Sequence, residues 1–312
     1  MTNYISRPQP EGLFLNWYKN LPDRDAQPSP ADPDPAIGED LNFIDEEMME
    51  VSRSSSVMRG AFLFFGLIGL LVMVWVGNIM IRALSSPLVS DWLAILAMLI
   101  LVGGITIVLR AIELDFRMPR DMPIRFNRRT REIIVYDYPL SLNPFARRRA
   151  DIRRFSWDDV QAEISKMAGY NGKAYLVRYS LVLVICTPGT GNVIERVNLK
   201  GNEVSDAALP GIWAYIRSYM ADGIANLPVA IVRRREISFR RSLFAYMPYF
   251  DPSKEGSEIR ARMGGLEWSL ALVLIWFFWL LLPIGAFSYI ALRCAPEPKW
   301  PTPVNEECHR GK

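Results

Sequence analysis

The side chains best suited to chemistry are few. There is one histidine, His309, and there are three cysteines, Cys186, Cys294 and Cys308, in 312 residues. A catalytic base needs a fixed partner and a pocket, and His309 stands in a proline-rich tail that offers neither. No cluster of His, Cys and carboxylates has metal-ligand spacing. Cys186 lies inside an apolar, β-branched run and reads as packing rather than as a nucleophile. Thr187, Pro188, Gly189, Thr190 and Gly191 carry the glycines of a phosphate loop. They lack the closing GK[ST] and the helix that must follow, so a hairpin turn is the better reading. Asp158 and Asp159 are adjacent, point to opposite faces of a strand, and make no acid–base pair. These residues argue against an enzyme, and neither cofactor nor metal is expected.

Arginine clusters at 128–131, 147–154 and 233–241 are the strongest polar features. Residues 111–265 hold 25 Lys and Arg against 17 Asp and Glu, whereas residues 1–58 hold 4 against 11. The net charge of +3 and the lack of a recognised motif exclude a dedicated nucleic-acid binder. A membrane-apposed surface accounts for the clusters better. Arg147, Arg148, Arg149, Arg233, Arg234 and Arg235 are expected to contact anionic lipid headgroups. An ordinary basic strand and loop packed on a domain is the other reading of 231–250.

The elements that would position these groups start with three apolar runs. Half of the residues are apolar, and mean hydropathy is +0.10. Uncharged stretches run over residues 60–81, 92–109 and 268–292. A helix needs about 20 apolar residues to cross the hydrocarbon core, so each is a candidate span. The first begins far from the chain start, behind an acidic stretch, and is not a cleaved leader. No Asp, Glu, Lys, Arg or His lies deep in a span, which argues against a self-sufficient transporter. Asn78, Thr106, Gly66, Gly69, Gly103 and Gly104 are candidates for helix–helix contact, within the chain or in a homo-oligomer. Pro283 is expected to kink the third span.

Orientation follows from basic residues at the span ends. Arg53, Arg59, Arg110, Arg117, Arg120, Arg125, Lys254, Arg260 and Arg262 lie on one side. Arg82, Arg293 and Lys299 lie on the other. This predicts a cytoplasmic N-terminus and central domain, with residues 82–91 and the tail 294–312 outside. An oxidising outer compartment favours a Cys294–Cys308 disulfide, which would close a loop worth about 3 kcal/mol.

Five segments result. Residues 1–58 are an acidic, proline-rich cytoplasmic segment. In it, 12–22 is a docking motif, an interfacial segment or coil; 23–40 is a solvated linker; and 41–51 forms an acidic helix. Residues 59–111 are a transmembrane hairpin, 112–265 a cytoplasmic α+β domain with a basic connector, 266–293 a third transmembrane helix, and 294–312 a periplasmic tail. In the central domain, 123–138 reads as a hairpin about the polar turn at 127–130. Residues 155–164 are a strand or short helix anchored by Trp157. Residues 174–187 and 193–199 are strands. Leu209, Ile212, Trp213, Ile216 and Tyr219 mark an amphipathic helix within 204–220, with Asn202 or Ser205 as its cap. The fold class is thus an α+β integral membrane protein. Its antiparallel sheet, closed by a C-terminal helix, resembles membrane-anchored pleckstrin-homology-like domains.

The whole layout resembles a bacterial family of three-span inner-membrane proteins encoded beside type VI secretion effectors. The likeness rests on Tyr18, Lys19, Asn20, Leu21 and Pro22, on Pro123, Ile124, Arg125, Phe126 and Asn127, and on Ser156, Trp157, Asp158, Asp159 and Val160. It implies an inner-membrane immunity or accessory protein that binds a secreted toxin without catalysis. The alternative is a membrane-anchored lipid-sensing or scaffold module.

Overall fold

The computed structural model describes residues 16–26, 29, 32–38, 40–53, 59–84, 90–138, 150–170, 175–188, 192–230, 232, 236–302 and 304–305. They form an α+β fold with two antiparallel sheets and three apolar helices long enough to cross a membrane.

The first sheet holds β2 (Leu41–Ile44), β3 (Met48–Val51), β4 (Ile124–Asn127), β5 (Glu132–Asp137) and β6 (Asp151–Ser156), in that order. The second holds β1 (Trp17–Asn20), β7 (Val160–Tyr170), β8 (Tyr175–Cys186) and β9 (Val193–Glu203), in the order β1-β7-β8-β9. The expected hairpin at 123–138 is present as β4 and β5, paired from Ile124 with Val135 to Asn127 with Glu132. At Trp157–Asp159 a 3₁₀ turn carries the chain from one sheet to the other, and Trp157 is buried there.

One helix, α3 (Leu209–Asp222), closes the core, with Leu209, Ile212, Trp213, Ile216 and Tyr219 all buried. The Trp157 and Trp213 rings lie 5.5 Å apart, and Phe126 meets Trp157 edge-on. The helix starts later than its periodicity indicates. Asn202 belongs to β9 at φ 69°, and Ala208 precedes the first turn, which contains Pro210. Proline is well suited there because its missing N–H would have no intrahelical partner.

Two expectations for the amino-terminal segment are corrected. Residues 41–51 form the hairpin β2–β3 instead of an acidic helix. The Asp45 carboxylate accepts from the Glu47 and Met48 amides, which turns the chain, and Leu41, Met48, Met49 and Val51 become buried. The described parts of 23–40 are not a solvated linker but lie along α3. Trp213 Nε1 donates to the Pro22 carbonyl at 2.8 Å, Arg217 donates to the Ala26 carbonyl, and the Ala36 amide donates to Gly211. Local turns in this stretch close on the Asp23 and Ser29 carbonyls, whereas the Pro22 and Ala26 carbonyls accept from α3. In the stretch 12–22, Trp17–Asn20 is strand β1 on β7, and 12–15 lies outside the described residues.

The long apolar helices are α1 (Ala61–Leu84) and α2 (Asp91–Arg117), inserted between β3 and β4. Small residues bring them together: a Cβ on Gly66 would stand 2.4 Å from Ile112, and one on Gly104 would stand 3.1 Å from Met73. Gly103 faces open space, and Asn78 and Thr106 donate to Val74 and Val102 of their own helices. Leu71, Trp75, Ile100 and Ile107 are exposed.

The third apolar stretch is α6 (Gly265–Leu274), a 3₁₀ turn at Ile275–Phe277, and α7 (Phe278–Cys294). Pro283 lies inside α7. The irregularity falls upstream of it, at 275–277. Before this stretch come α4 (Phe239–Leu243) and α5 (Lys254–Arg262). The segment from α4 runs antiparallel along α7: Phe239 meets Tyr289, a Gly285 Cβ would stand 2.3 Å from the Leu243 carbonyl, and Phe250 meets Phe278. The part of 231–250 that is described therefore packs on α7.

The tail is the main correction. It was expected on the opposite side of the membrane from the central domain, yet residues 296–305 pack on β3, β4 and β5. Counting basic residues at span ends cannot register the antiparallel return of 239–294, which brings the tail back to the sheet.

Candidate functional site

Where the first sheet meets α4, the end of α7 and the tail, they border a half-open cavity of about 760 Å³. It is the junction between the β domain and the apolar helices.

Its floor is an ion pair. Glu50 of β3 and Arg125 of β4 are register partners, with Arg125 Nε donating to Glu50 Oε2 at 2.8 Å. Both are buried. A buried charge is tolerated only when paired and hydrogen-bonded, and this pair is. Asn42 donates to Glu50 Oε1 and to Asp121, and Arg125 donates to Asn305 Oδ1 at 2.7 Å. Trp300 completes the shell: its ring centre is 4.3 Å from the Arg125 guanidinium carbon, and its N–H donates to Glu50 at 3.2 Å. Tyr136 packs edge-on against the same indole.

One wall is the end of α7. The last carbonyls of a helix have no intrahelical partner. Arg120 donates to three there, at Leu292, Arg293 and Ala295, and pairs with Glu297 at 2.9 Å. Beside it, Arg53 donates to the Met122 and Tyr136 carbonyls and to Asp137. Burial pushes the Arg53 pKa down to about 10 against the opposing pull of Asp121, so it stays charged at neutral pH. The opposite wall comprises Glu236, Ile237, Ser238, Arg241, Ser242 and Ala245. Arg120, Arg125, Arg241 and Lys299 thus face Glu50, Asp121, Glu236 and Glu297 across one space.

Directly below, four helix segments are locked together. Gly60 has φ 82°, and a Cβ on it would lie 2.2 Å from the Ser288 nitrogen. Only glycine fits both the backbone angle and the approach. Asp115, near the end of α2, accepts from the Leu63 amide in the first turn of α1 at 2.7 Å, where a carboxylate also suits the helix dipole. The Arg59 guanidinium donates to the Met118 and Pro119 carbonyls, and Tyr246 Oη donates to the Arg59 carbonyl. Burial lowers the Arg59 pKa.

The residues singled out from sequence fall elsewhere. Arg147, Arg148, Arg149, Arg233, Arg234, Arg235 and Cys308 lie outside the described residues. Cys294 is exposed at the end of α7, and Cys186 is buried in β8. Other members of the arginine clusters are matched by carboxylates: Arg131 with Asp158 at 2.6 Å, Arg153 with Asp137 and Glu195, and Arg241 with Glu255. Among the described residues, no three or more His, Cys, Asp or Glu are grouped to hold a metal. The cavity was missed from sequence because its walls come from residues 42 to 305. The only local signal was an aromatic, Trp300, in an otherwise polar tail.

These features define an α+β domain of two antiparallel sheets fastened at one end to three membrane-length apolar helices. Residues 101–312 match the family of unknown function DUF6708, and the chain belongs to that family. No curated protein and no solved structure matches it.

Proposed function

We propose that this chain is a non-catalytic inner-membrane binding protein of the immunity or accessory type, acting on a secreted toxin of a type VI-like system. The observation that carries the reading is the Trp300 clasp on Arg125 and Glu50. It ties the tail that follows α7 to the sheet, so a partner held by the helices is also coupled to the β domain. The exposed apolar faces of α1 and α2 suit insertion in lipid, or contact with the membrane part of a toxin. The resemblance to proteins encoded beside type VI effectors supports a toxin as the partner. The β domain supports the pleckstrin-homology-like reading: strands β3 to β9 form an antiparallel meander followed by the single helix α3, with α1 and α2 inserted after its first strand.

In this reading the N-terminal strands, the β domain and the tail share the cytoplasmic side. Arg53, Arg59, Arg117, Arg120, Arg293 and Lys299 then lie inside, against Arg82 and the α5 residues Lys254, Arg260 and Arg262 at the far tip, so the excess of basic residues is still inside. Residues 239–294 enter and return as a helical hairpin. The charges of α5 hold its tip at a water interface, because burying them in hydrocarbon is costly. A cytoplasmic tail leaves Cys294 and Cys308 reduced.

The test is deletion of the gene followed by challenge with a sibling strain that secretes the toxin. Killing of the deletion strain, reversed by the intact gene, is expected for immunity, and loss of toxin delivery by the deletion strain for an accessory role. Normal survival with normal delivery overturns both. A lipid-sensing or scaffold role is the second reading, favoured by the cavity at the junction of domain and helices.

A further inference from the structure

We infer that the junction cavity holds the head group of a zwitterionic phospholipid, one with a primary ammonium on its phosphodiester. The inference rests on reading the apolar helices as membrane-inserted. Ser288 lines the cavity and abuts Gly60, the residue just before α1. The cavity therefore opens at the level where the apolar helices begin, which is where lipid head groups lie. Its volume of about 760 Å³ falls within the range of small-molecule sites.

The lining selects the head group. Basic and acidic side chains face the space in equal number, so a purely anionic head group gains no net attraction. Three of these charges, Asp121, Glu236 and Lys299, are in no ion pair among the described residues; Asp121 already accepts from Asn42 and from the Arg53 amide, which leaves Lys299 on the tail and Glu236 before α4 for a ligand. Lys299 is suited to the phosphodiester. Glu236 is suited to an ammonium, whose N–H groups make charge-assisted hydrogen bonds. A quaternary ammonium has no N–H to give. Ile237 and Leu292 supply apolar wall for the glycerol and the first acyl carbons.

The test uses the full chain, delipidated in detergent and offered equal amounts of phosphatidylethanolamine, phosphatidylcholine and phosphatidylglycerol with identical acyl chains. Bound lipid is counted by native mass spectrometry. Phosphatidylethanolamine is expected in about tenfold excess over each of the others, the effect of one charge-assisted contact. Glu236→Gln should abolish that preference. Lys299→Ala should weaken all binding, and Lys299→Arg should retain it, with the melting temperature unchanged in all three variants. Equal retention of the three lipids, a preference for phosphatidylglycerol, no bound lipid, or indifference to both Glu236→Gln and Lys299→Ala overturns the inference. So does binding of glycerophosphoethanolamine, which has no acyl chains, as tightly as the lipid. Carbonate extraction of the chain from membranes reports insertion separately, so failure of the membrane reading is distinguishable from failure of the site.

Discussion

The guanidinium carbon of Arg125 sits 4.3 Å from the centre of the Trp300 ring, while the indole N–H reaches Glu50, the ion-pair partner of that same arginine. A tail residue is thereby tied to adjacent strands that lie some 75 residues apart in the chain. The cation–π contact and the hydrogen bond reinforce each other because both partners are held by the sheet. Trp300→Ala should release residues 296–302 and cost about 1–3 kcal/mol. Hydrogen exchange should rise in the tail and stay unchanged in β7 and β8.

The Glu50–Arg125 pair is deeply buried, with side-chain exposures of 6% and 10%. Removing one charge strands the other. Glu50→Gln alone should destabilise the chain by roughly 3–5 kcal/mol, and combining it with Arg125→Met should recover much of that loss. A double-mutant cycle on melting in detergent measures the coupling.

Gly60 stands at the entry to α1, pressed against Ser288 of α7. Gly60→Ala places a Cβ 2.2 Å from the Ser288 nitrogen at φ 82°. The combined strain and overpacking should cost about 2–4 kcal/mol. A lowered melting temperature, with protease sensitivity at residues 53–60, is the expected result.

Lys19 on β1 donates to Asp206, just ahead of α3, at 2.7 Å, and this bond holds the Asp206 carboxyl below its usual 3.8. A depressed carboxylate stabilises the fold above its ordinary pKa and loses that contribution as protons are added. Docking of β1 should therefore weaken as the pH falls from about 5 to 3. The effect is at most about 1 kcal/mol for a pair this exposed. The fluorine resonance of Trp17 in the chain carrying 5-fluorotryptophan, assigned with Trp17→Phe, follows it without disturbing the core tryptophans, and Asp206→Asn should remove the pH dependence.

Legibility in the sequence depended on whether partners were local. The β4–β5 hairpin and the face of α3 were readable because turn and periodicity lie within a few residues of each other. Residues 41–51 were not: Met48 and Met49 beside an acidic run look helical, and the strand that overrides this, β4, returns only after α1 and α2. The tail was misplaced for the same reason. Basic-residue counts treat each span end alone, whereas Arg120 gathers the carbonyls at the end of α7 from 172 residues away. The cavity, assembled from five separate segments, had a single local signature, Trp300 in the tail.

The central claim is that the β domain and the tail lie together on the cytoplasmic side. Cys186 is buried and a poor reporter, so two single-cysteine chains are needed. One keeps only Cys294, which is exposed. The other carries only Met167→Cys, on the exposed part of β7. Both are treated with a membrane-impermeant maleimide in spheroplasts, before and after permeabilisation. The expected result is that neither site labels in intact spheroplasts and both label after permeabilisation. Labelling of Cys294 with protection of position 167, or the reverse, would contradict the shared side; labelling of both in intact spheroplasts would contradict its being the cytoplasm.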